Sequence, residues 1–257
     1  MISIKNPAQI EKMRKAGALL HQVMQAVRER VAPGVTTREL DEFAERMIRQ
    51  HGAVPSFLHY NGYPATLCTS IDEQVVHGIP DGKPLREGQI LSVDGGLVLD
   101  GWQADSAFTV GIGEISAQAA RLIAVTEACF WAGAAMAREG NRVSDIGHAV
   151  QALAESNGYQ PVRAMIGHGI GRQLHEEPEV PNYGSPGRGV RLRAGMTICI
   201  EPMIAAGGWP VHELADGWTV VTDDASLCSH YEHTLVITHG GPPEILTQPP
   251  GNGGSAP

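Results

Sequence analysis

The sequence predicts an α+β fold of two similar halves, each a helix pair followed by short antiparallel strands. Three observations predict it. The order helix, helix, strands occurs twice along 257 residues, the halves meeting near residue 115. Two of the helices open on capping boxes, in which an N-cap side chain and a partner three residues on satisfy each other's backbone N–H groups. Asp100-Gly101 lies between two apolar runs, a strong two-residue hairpin signal.

Asn6-Pro7-Ala8-Gln9 starts the first helix, with Pro at its first position. Ile10, Met13, Gly17, Leu20, Met24 and Val27 then share one face at steps of three and four, until Pro33-Gly34 breaks the pattern. Thr36 with Glu39 caps a second helix that buries Leu40, Phe43 and Met47 and stops near Gly52. An Ala-rich third helix is expected over residues 116–139, with Gly140 as its stop, and a fourth over 144–156, ending at Asn157-Gly158. Strands are expected at 90–98, 102–111, 196–200, 218–221 and 233–237. The chain reads as one domain over 1–247, with halves of about 1–115 and 116–247, and a Pro/Gly/Ser-rich tail over 248–257 expected to be disordered.

Composition narrows the function classes. Lys+Arg total 19 against 28 Asp+Glu, a net charge of −9, so no basic face is expected for DNA phosphate. No uninterrupted apolar run approaches the roughly 20 residues of a membrane helix, and the N-terminus has no apolar signal core. A cytoplasmic protein without membrane contact is the expectation. Cys68, Cys129, Cys199 and Cys228 are widely spaced with no C-x-x-C, which argues against a zinc ribbon and a disulfide scaffold.

Chemistry enters through the hairpin. A two-residue loop at Asp100-Gly101 pairs Leu99 with Trp102 and Gly96 with Asp105, and Asp94 shares the face of Gly96. Asp94 and Asp105 become diagonal neighbours about 7–8 Å apart at the backbone. Such a pair either faces solvent or is held by a cation between the carboxylates. Gly167-His168-Gly169-Ile170-Gly171 has the wrong glycine spacing for a dinucleotide fingerprint, and the following His175-Glu176 lacks a second His at position 179. Glu201 ends one apolar strand and Glu232 precedes another; each is a gatekeeper against aggregation or a buried acid with a cation. There is no G-x-S-x-G elbow and no phosphate-binding Walker loop.

Together the stretches Tyr60-Asn61-Gly62-Tyr63-Pro64, Val75-Val76-His77-Gly78-Ile79-Pro80, Asp94 with Asp105, Gly167 to Gly171, His175-Glu176-Glu177-Pro178, Ile200-Glu201-Pro202-Met203, Asp216-Gly217-Trp218-Thr219 and Tyr231-Glu232-His233-Thr234 resemble the type I methionine aminopeptidases. The likeness runs to about Thr247. It implies the pita-bread fold, two pseudo-twofold-related helix-plus-sheet halves around a dinuclear metal site. It also implies five ligands: Asp94 on one ion, His168 and Glu201 on the other, Asp105 and Glu232 bridging. Two divalent ions of the Fe(II), Mn(II), Co(II) or Zn(II) kind suit such a set. The implied activity removes the N-terminal Met of nascent polypeptides before a small second residue. Glu201 would shuttle the proton, His175 would stabilise the developing oxyanion and His77 would align the scissile amide. Matching positions nominate Tyr60, Tyr63, Cys68 and Trp218 for the methionine pocket, with Phe57 and Leu174 nearby. Gly96, Cys199 and Leu174 depart from the residues the family often carries, respectively a hydroxyl residue, Thr and Phe.

Two other readings compete. A proline-directed peptidase of the same fold (Xaa-Pro aminopeptidase or prolidase) would be expected to carry a large domain before Asn6, and a non-catalytic peptide-binding relative would be expected to have lost ligands. No zinc-binding extension precedes Asn6 either, so ribosome docking through such a module is not expected; a monomer with transient ribosome contact is the expectation.

Overall fold

In the computed structural model, which describes residues 2–248, Asn6 caps α1 (Pro7–Arg28) through the expected reciprocal bonds with Gln9. The helix ends before Pro33, because the Arg30 and Val31 N–H groups turn back to the Val27 and Arg28 carbonyls. Thr36 and Glu39 cap α2 (Thr37–Gln50) as expected. Its buried stripe is Leu40, Ala44 and Ile48, one step round from the expected one. Phe43 and Met47 sit half-buried at the edge, Phe43 beneath the Arg30 guanidinium at 3.6 Å.

The second helix pair is α3 (Ala117–Met136) and α4 (Val143–Ser156). α3 stops three residues early, where the Asn141 side chain donates to the Met136 carbonyl at 2.9 Å and caps the end. Asp145 accepts the Arg142 N–H at 2.7 Å and starts α4 one residue early. By length and composition alone α3 is apolar enough to cross a membrane. It packs instead in the protein core, with Leu122, Cys129 and Phe130 fully buried.

The first half supplies β1 (Val54–Pro55), β2 (Leu67–Ile71), β3 (Gln74–Val76), β4 (Ile90–Leu99) and β5 (Trp102–Gly111). The second supplies β6 (Gln160–Pro161), β7 (Gly167–Gly169), β8 (Glu176–Val180), β9 (Thr197–Ile200) and β10 (Met203–Ala205). After these come β11 (Val211–Glu213), β12 (Val220–Thr222), β13 (Cys228–His230), β14 (Glu232–Val236) and β15 (Glu244–Ile245). The β4–β5 hairpin has the expected register, Leu99 opposite Trp102 and Gly96 opposite Asp105. The strand expected at 218–221 starts only at Val220. The Trp218 and Thr219 N–H groups are taken by the Asp216 carboxylate, which folds that stretch into a turn. Gln248 lies just past the β15 segment; the rest of the predicted tail, 249–257, lies outside the described residues.

One nine-stranded sheet joins the halves in the order β1-β4-β5-β14-β9-β7-β8, with β2 on β4 and β15 on β14. Smaller sheets, β13-β10-β6 and β11-β12-β3, flank it. One core packs α1 and α2 on β4 and β5 through Leu20, Leu40, Leu91 and Leu97. A second packs α3 and α4 on β9 and β14 through Phe130, Ile146, Ile198 and Leu235. α1 also lies hard against the segment after β15: a Cβ on Gly17 would stand 2.1 Å from the Leu246 carbonyl oxygen.

The halves meet at β5 and β14, whose backbone pairing covers only Ala107 with Glu232 and Ser106 with His233. Beyond it, threonine hydroxyls take over. Thr234 Oγ1 accepts the Asp105 N–H at 3.0 Å and donates to the Asp105 carbonyl at 2.9 Å. Thr109 Oγ1 does the same for His230, accepting its N–H at 3.0 Å and donating to its carbonyl at 2.8 Å. Each threonine fixes the backbone of a residue across the seam, and both fixed residues carry acid–base side chains.

Candidate metal centre and substrate pocket

The sheet alternation turns Asp94 and Asp105 onto one face of the hairpin, and the seam sets Glu232 beside them. Glu201 follows directly on β9, and His168 sits in β7. These five side chains, brought from positions 94 to 232, line one cavity of about 330 Å³. Gly167 and Gly169 let β7 nestle between its neighbours. A Cβ on the first would lie 2.4 Å from the Cys199 carbonyl oxygen, and on the second 2.2 Å from that of Glu177.

His168 is held as a neutral donor. Its Nδ1 faces the Gly169 carbonyl at 2.8 Å, which assigns the proton there and leaves the Nε2 lone pair free. Nε2 lies 3.6 Å from a Glu201 oxygen and 3.9 Å from an Asp105 oxygen. Burial, with His175 alongside, lowers the His168 pKa to about 4. The acids shift the other way. Burial pushes Asp94 up to about 7, and burial plus mutual repulsion holds Asp105, Glu201 and Glu232 well above the usual carboxylate range.

Four acids sharing so small a space must keep protons or share cations. Asp94 Oδ1, Asp105 Oδ1 and Glu232 Oε1 are buried without a hydrogen-bond partner among the described residues, and such atoms are costly to leave unmet. Oxygen-rich donors with a neutral imidazole fit hard and borderline divalent ions. Donor atoms of Asp105, His168, Cys199 and Glu232 lie within 4.8 Å of one another. Cys199, named from sequence only as a departure, thus reaches the cluster. Burial, with Glu232 and Asp105 alongside, raises its thiol well above the usual range.

All six side chains nominated from sequence, Phe57, Tyr60, Tyr63, Cys68, Leu174 and Trp218, line the cavity, together with Asn61, Val76, Ala164, Met165 and Ile166, which the sequence did not nominate. Tyr63 meets Trp218 edge-on at 5.1 Å, and its hydroxyl donates towards the Leu67 and Gly78 carbonyls, both at 3.0 Å. Phe57 has two roles. It lines the cavity, and it fills the space beside Gly96, where a Cβ would meet its ring at 3.0 Å. A hydroxyl side chain at 96 would need that ring to move.

Two histidines stand over the acids. His175 Nδ1 lies 2.8 Å from the Tyr60 hydroxyl, and its ring meets that of His168 edge-on at 4.4 Å. His77 adopts φ +59°, a left-handed conformation that a non-glycine residue rarely takes. The Thr69 N–H holds that turn by bonding to the Gly78 carbonyl at 2.8 Å. The buried Lys5 ammonium reaches Glu176 at 2.7 Å, and Glu176 also accepts the Arg172 and Gln173 N–H groups. That knot fixes the loop carrying Leu174 and His175.

The sequence reading missed His230. Its Nε2 is buried and unpartnered among the described residues, 3.9 Å from a Glu201 oxygen and 3.8 Å from a Glu232 oxygen. Its place two residues before Glu232 was the only local signal.

Known proteins share the sequence and the fold. Metallopeptidase family M24 matches residues 11–239. The methionine aminopeptidase of Clostridium perfringens is 49% identical over 247 residues, covering 96% of this chain and 99% of that protein. The crystal structure of methionine aminopeptidase from Rickettsia prowazekii has a TM-score of 0.95 at 40% identity, covering 96% of this chain and 100% of that one. An Xaa-Pro dipeptidase from Bacillus anthracis shares the fold, with a TM-score of 0.76 at 19% identity; the match covers 96% of this chain and 62% of that longer one. With its helix-plus-sheet halves closed over a shared nest of acids, the chain has the pita-bread fold and belongs to metallopeptidase family M24.

Proposed function

We propose that this chain is a metal-dependent aminopeptidase that removes the N-terminal methionine from newly made polypeptides, with a preference for a small second residue. One observation carries the reading. An aromatic- and sulfur-lined cavity has four carboxylates and a neutral imidazole in its wall, in a chain that spans nearly the whole length of methionine aminopeptidase relatives.

Asp94, Asp105, His168, Glu201 and Glu232 would hold two divalent ions. When bound, such ions acidify water and polarise a carbonyl, supplying a nucleophile at neutral pH. The chain's own residues do the rest. Tyr63, Cys68, Trp218, Phe57 and Leu174 enclose an unbranched thioether, for which aromatic edges and a thiol are favourable neighbours. Glu201, which bound cations would keep ionised, would accept a proton and pass it towards the leaving amine. His175 is neutral, its pKa lowered by burial, and it stabilises the oxygen that becomes negative. His77, set by its strained turn, contacts the scissile amide. The protein would work as a single catalytic domain over 1–247, a monomer in the cytoplasm with at most transient ribosome contact.

The test compares hydrolysis of Met-Ala-Ser, Met-Lys-Ser and Ala-Pro-Ala by purified protein supplied with Mn(II), Co(II) or Fe(II). Methionine should be released from the first peptide alone. Preference for Ala-Pro-Ala would make the chain proline-directed, and absence of both metal uptake and turnover would make it a binding protein.

A further inference from the structure

We propose that His230 is a further ligand of the metal centre, its Nε2 forming a triangle with the Glu201 and Glu232 carboxylates. The proposal rests on the metal-site reading above and extends it. Donor atoms of Glu201, His230 and Glu232 lie within 4.8 Å of one another, a second grouping that shares Glu232 with the one around His168. At 3.9 and 3.8 Å, His230 Nε2 is too far from either carboxylate for a hydrogen bond. Those separations do suit donors that share one ion, each about 2.0–2.2 Å from it.

The alternatives are poorer. His230 is 2% exposed and is not among the residues lining the substrate cavity, so its ring faces the acids rather than the substrate. A structural histidine would have its ring nitrogen satisfied, and this one has no partner among the described residues.

The backbone around it is built to aim the ring. Thr109 Oγ1 donates to the His230 carbonyl, so its contact with Ser92 Oγ at 2.7 Å is one in which Ser92 donates. The His230 N–H supplies the other bond to that oxygen. One buried hydroxyl on β5, itself tethered to β4, therefore fixes both main-chain polar groups of His230. Clamping of this kind fixes where the main chain presents the ring. The matching clamp from Thr234 holds Asp105.

A second imidazole makes the donor set softer than one histidine among four carboxylates. The expected consequence is a shift in preference from Mn(II) towards Zn(II) and Co(II). His230→Gln should lower the Zn(II)-over-Mn(II) affinity ratio about tenfold or more.

The decisive measurement is proton NMR of the Co(II)-loaded full chain, in which each ligated imidazole contributes one strongly shifted, solvent-exchangeable N–H signal. The wild type should show two such signals, and His230→Gln and His230→Ala one each. A single signal in the wild type, unchanged in both variants, would overturn the role of His230 while leaving the metal site intact. Absence of any shifted signal at saturating Co(II) would overturn the metal site and this proposal with it. Thermal unfolding of the metal-free variants separates a folding defect from loss of a ligand. If apo stability is held and the N–H signal is lost, ligation stands. If both variants unfold, the wild-type signal count alone decides.

Discussion

Replacing Thr234 by Val removes a hydroxyl while keeping the branched shape, and the seam geometry sets what that should cost. Thr234 is fully buried, and its Oγ1 is the partner of both the Asp105 N–H and the Asp105 carbonyl. No neighbouring backbone replaces it, because the β5–β14 pairing covers only Ala107 and Ser106. Two buried main-chain groups would lose their partner at about 1–3 kcal/mol each, against a gain of about 0.8 kcal/mol for the added buried methyl. A net loss of about 1–5 kcal/mol is expected in urea unfolding of the metal-free protein. Asp105 is also a proposed ligand, so metal affinity should fall roughly 10–100-fold. Thr126→Val is the control. The Thr126 hydroxyl is equally buried but only back-bonds to the Leu122 carbonyl within α3 at 2.8 Å, so its loss should be nearly neutral. Equal stabilities for the two variants, with unchanged metal affinity, would refute the idea that side-chain hydroxyls carry the seam.

Other outcomes follow from the same geometry. Glu201→Gln should reduce kcat by about 10²–10⁴ with the fold retained, as circular dichroism would show; an active variant would remove Glu201 from proton transfer. Lys5→Met should leave the half-buried Glu176 without its ammonium, destabilise the protein by about 1–3 kcal/mol and raise KM through the loosened His175 loop, read by unfolding and steady-state kinetics. Removing metal should make stability fall as pH rises above about 6.5. There His168 is neutral in both folded and unfolded states, while Asp94, pushed up to about 7, and Asp105, Glu201 and Glu232, held well above the carboxylate range, give up protons that the unfolded chain has already released. Added Zn(II) or Mn(II) should reverse that slope, because the ions bind the deprotonated carboxylates; equal protection by metal at pH 5.5 and 8 would contradict it.

Legibility in the sequence followed the range of the interactions. Both helix starts with complete capping boxes, at Asn6 and Thr36, were readable because the signal lies within four residues. The β4–β5 register was readable because two residues, Asp100 and Gly101, determine it. The face of α2 was misjudged, because Phe43 and Met47 look as apolar as Ala44 and Ile48 until the position of Arg30 is known. Strands such as β2 and β13 left no alternation to read, since every residue from Leu67 to Ser70 and from Cys228 to His230 is buried.

The site shows the same division more sharply. Asp94 and Asp105 could be brought together by the hairpin alone, yet their role depended on Glu232 and His168, which join them only through the β5–β14 seam and β7. That seam has two backbone pairings, so its geometry is carried by Thr109 and Thr234, residues that in sequence are merely polar positions in apolar strands. The same economy explains why His230 was invisible: its backbone is held by Thr109, 121 residues away, and its ring has no partner within its own strand. A centre assembled across such a joint is most strained when it is empty. Its buried acids then repel one another with only protons to separate them, and cations bound there would hold the two halves together as well as serve the reaction.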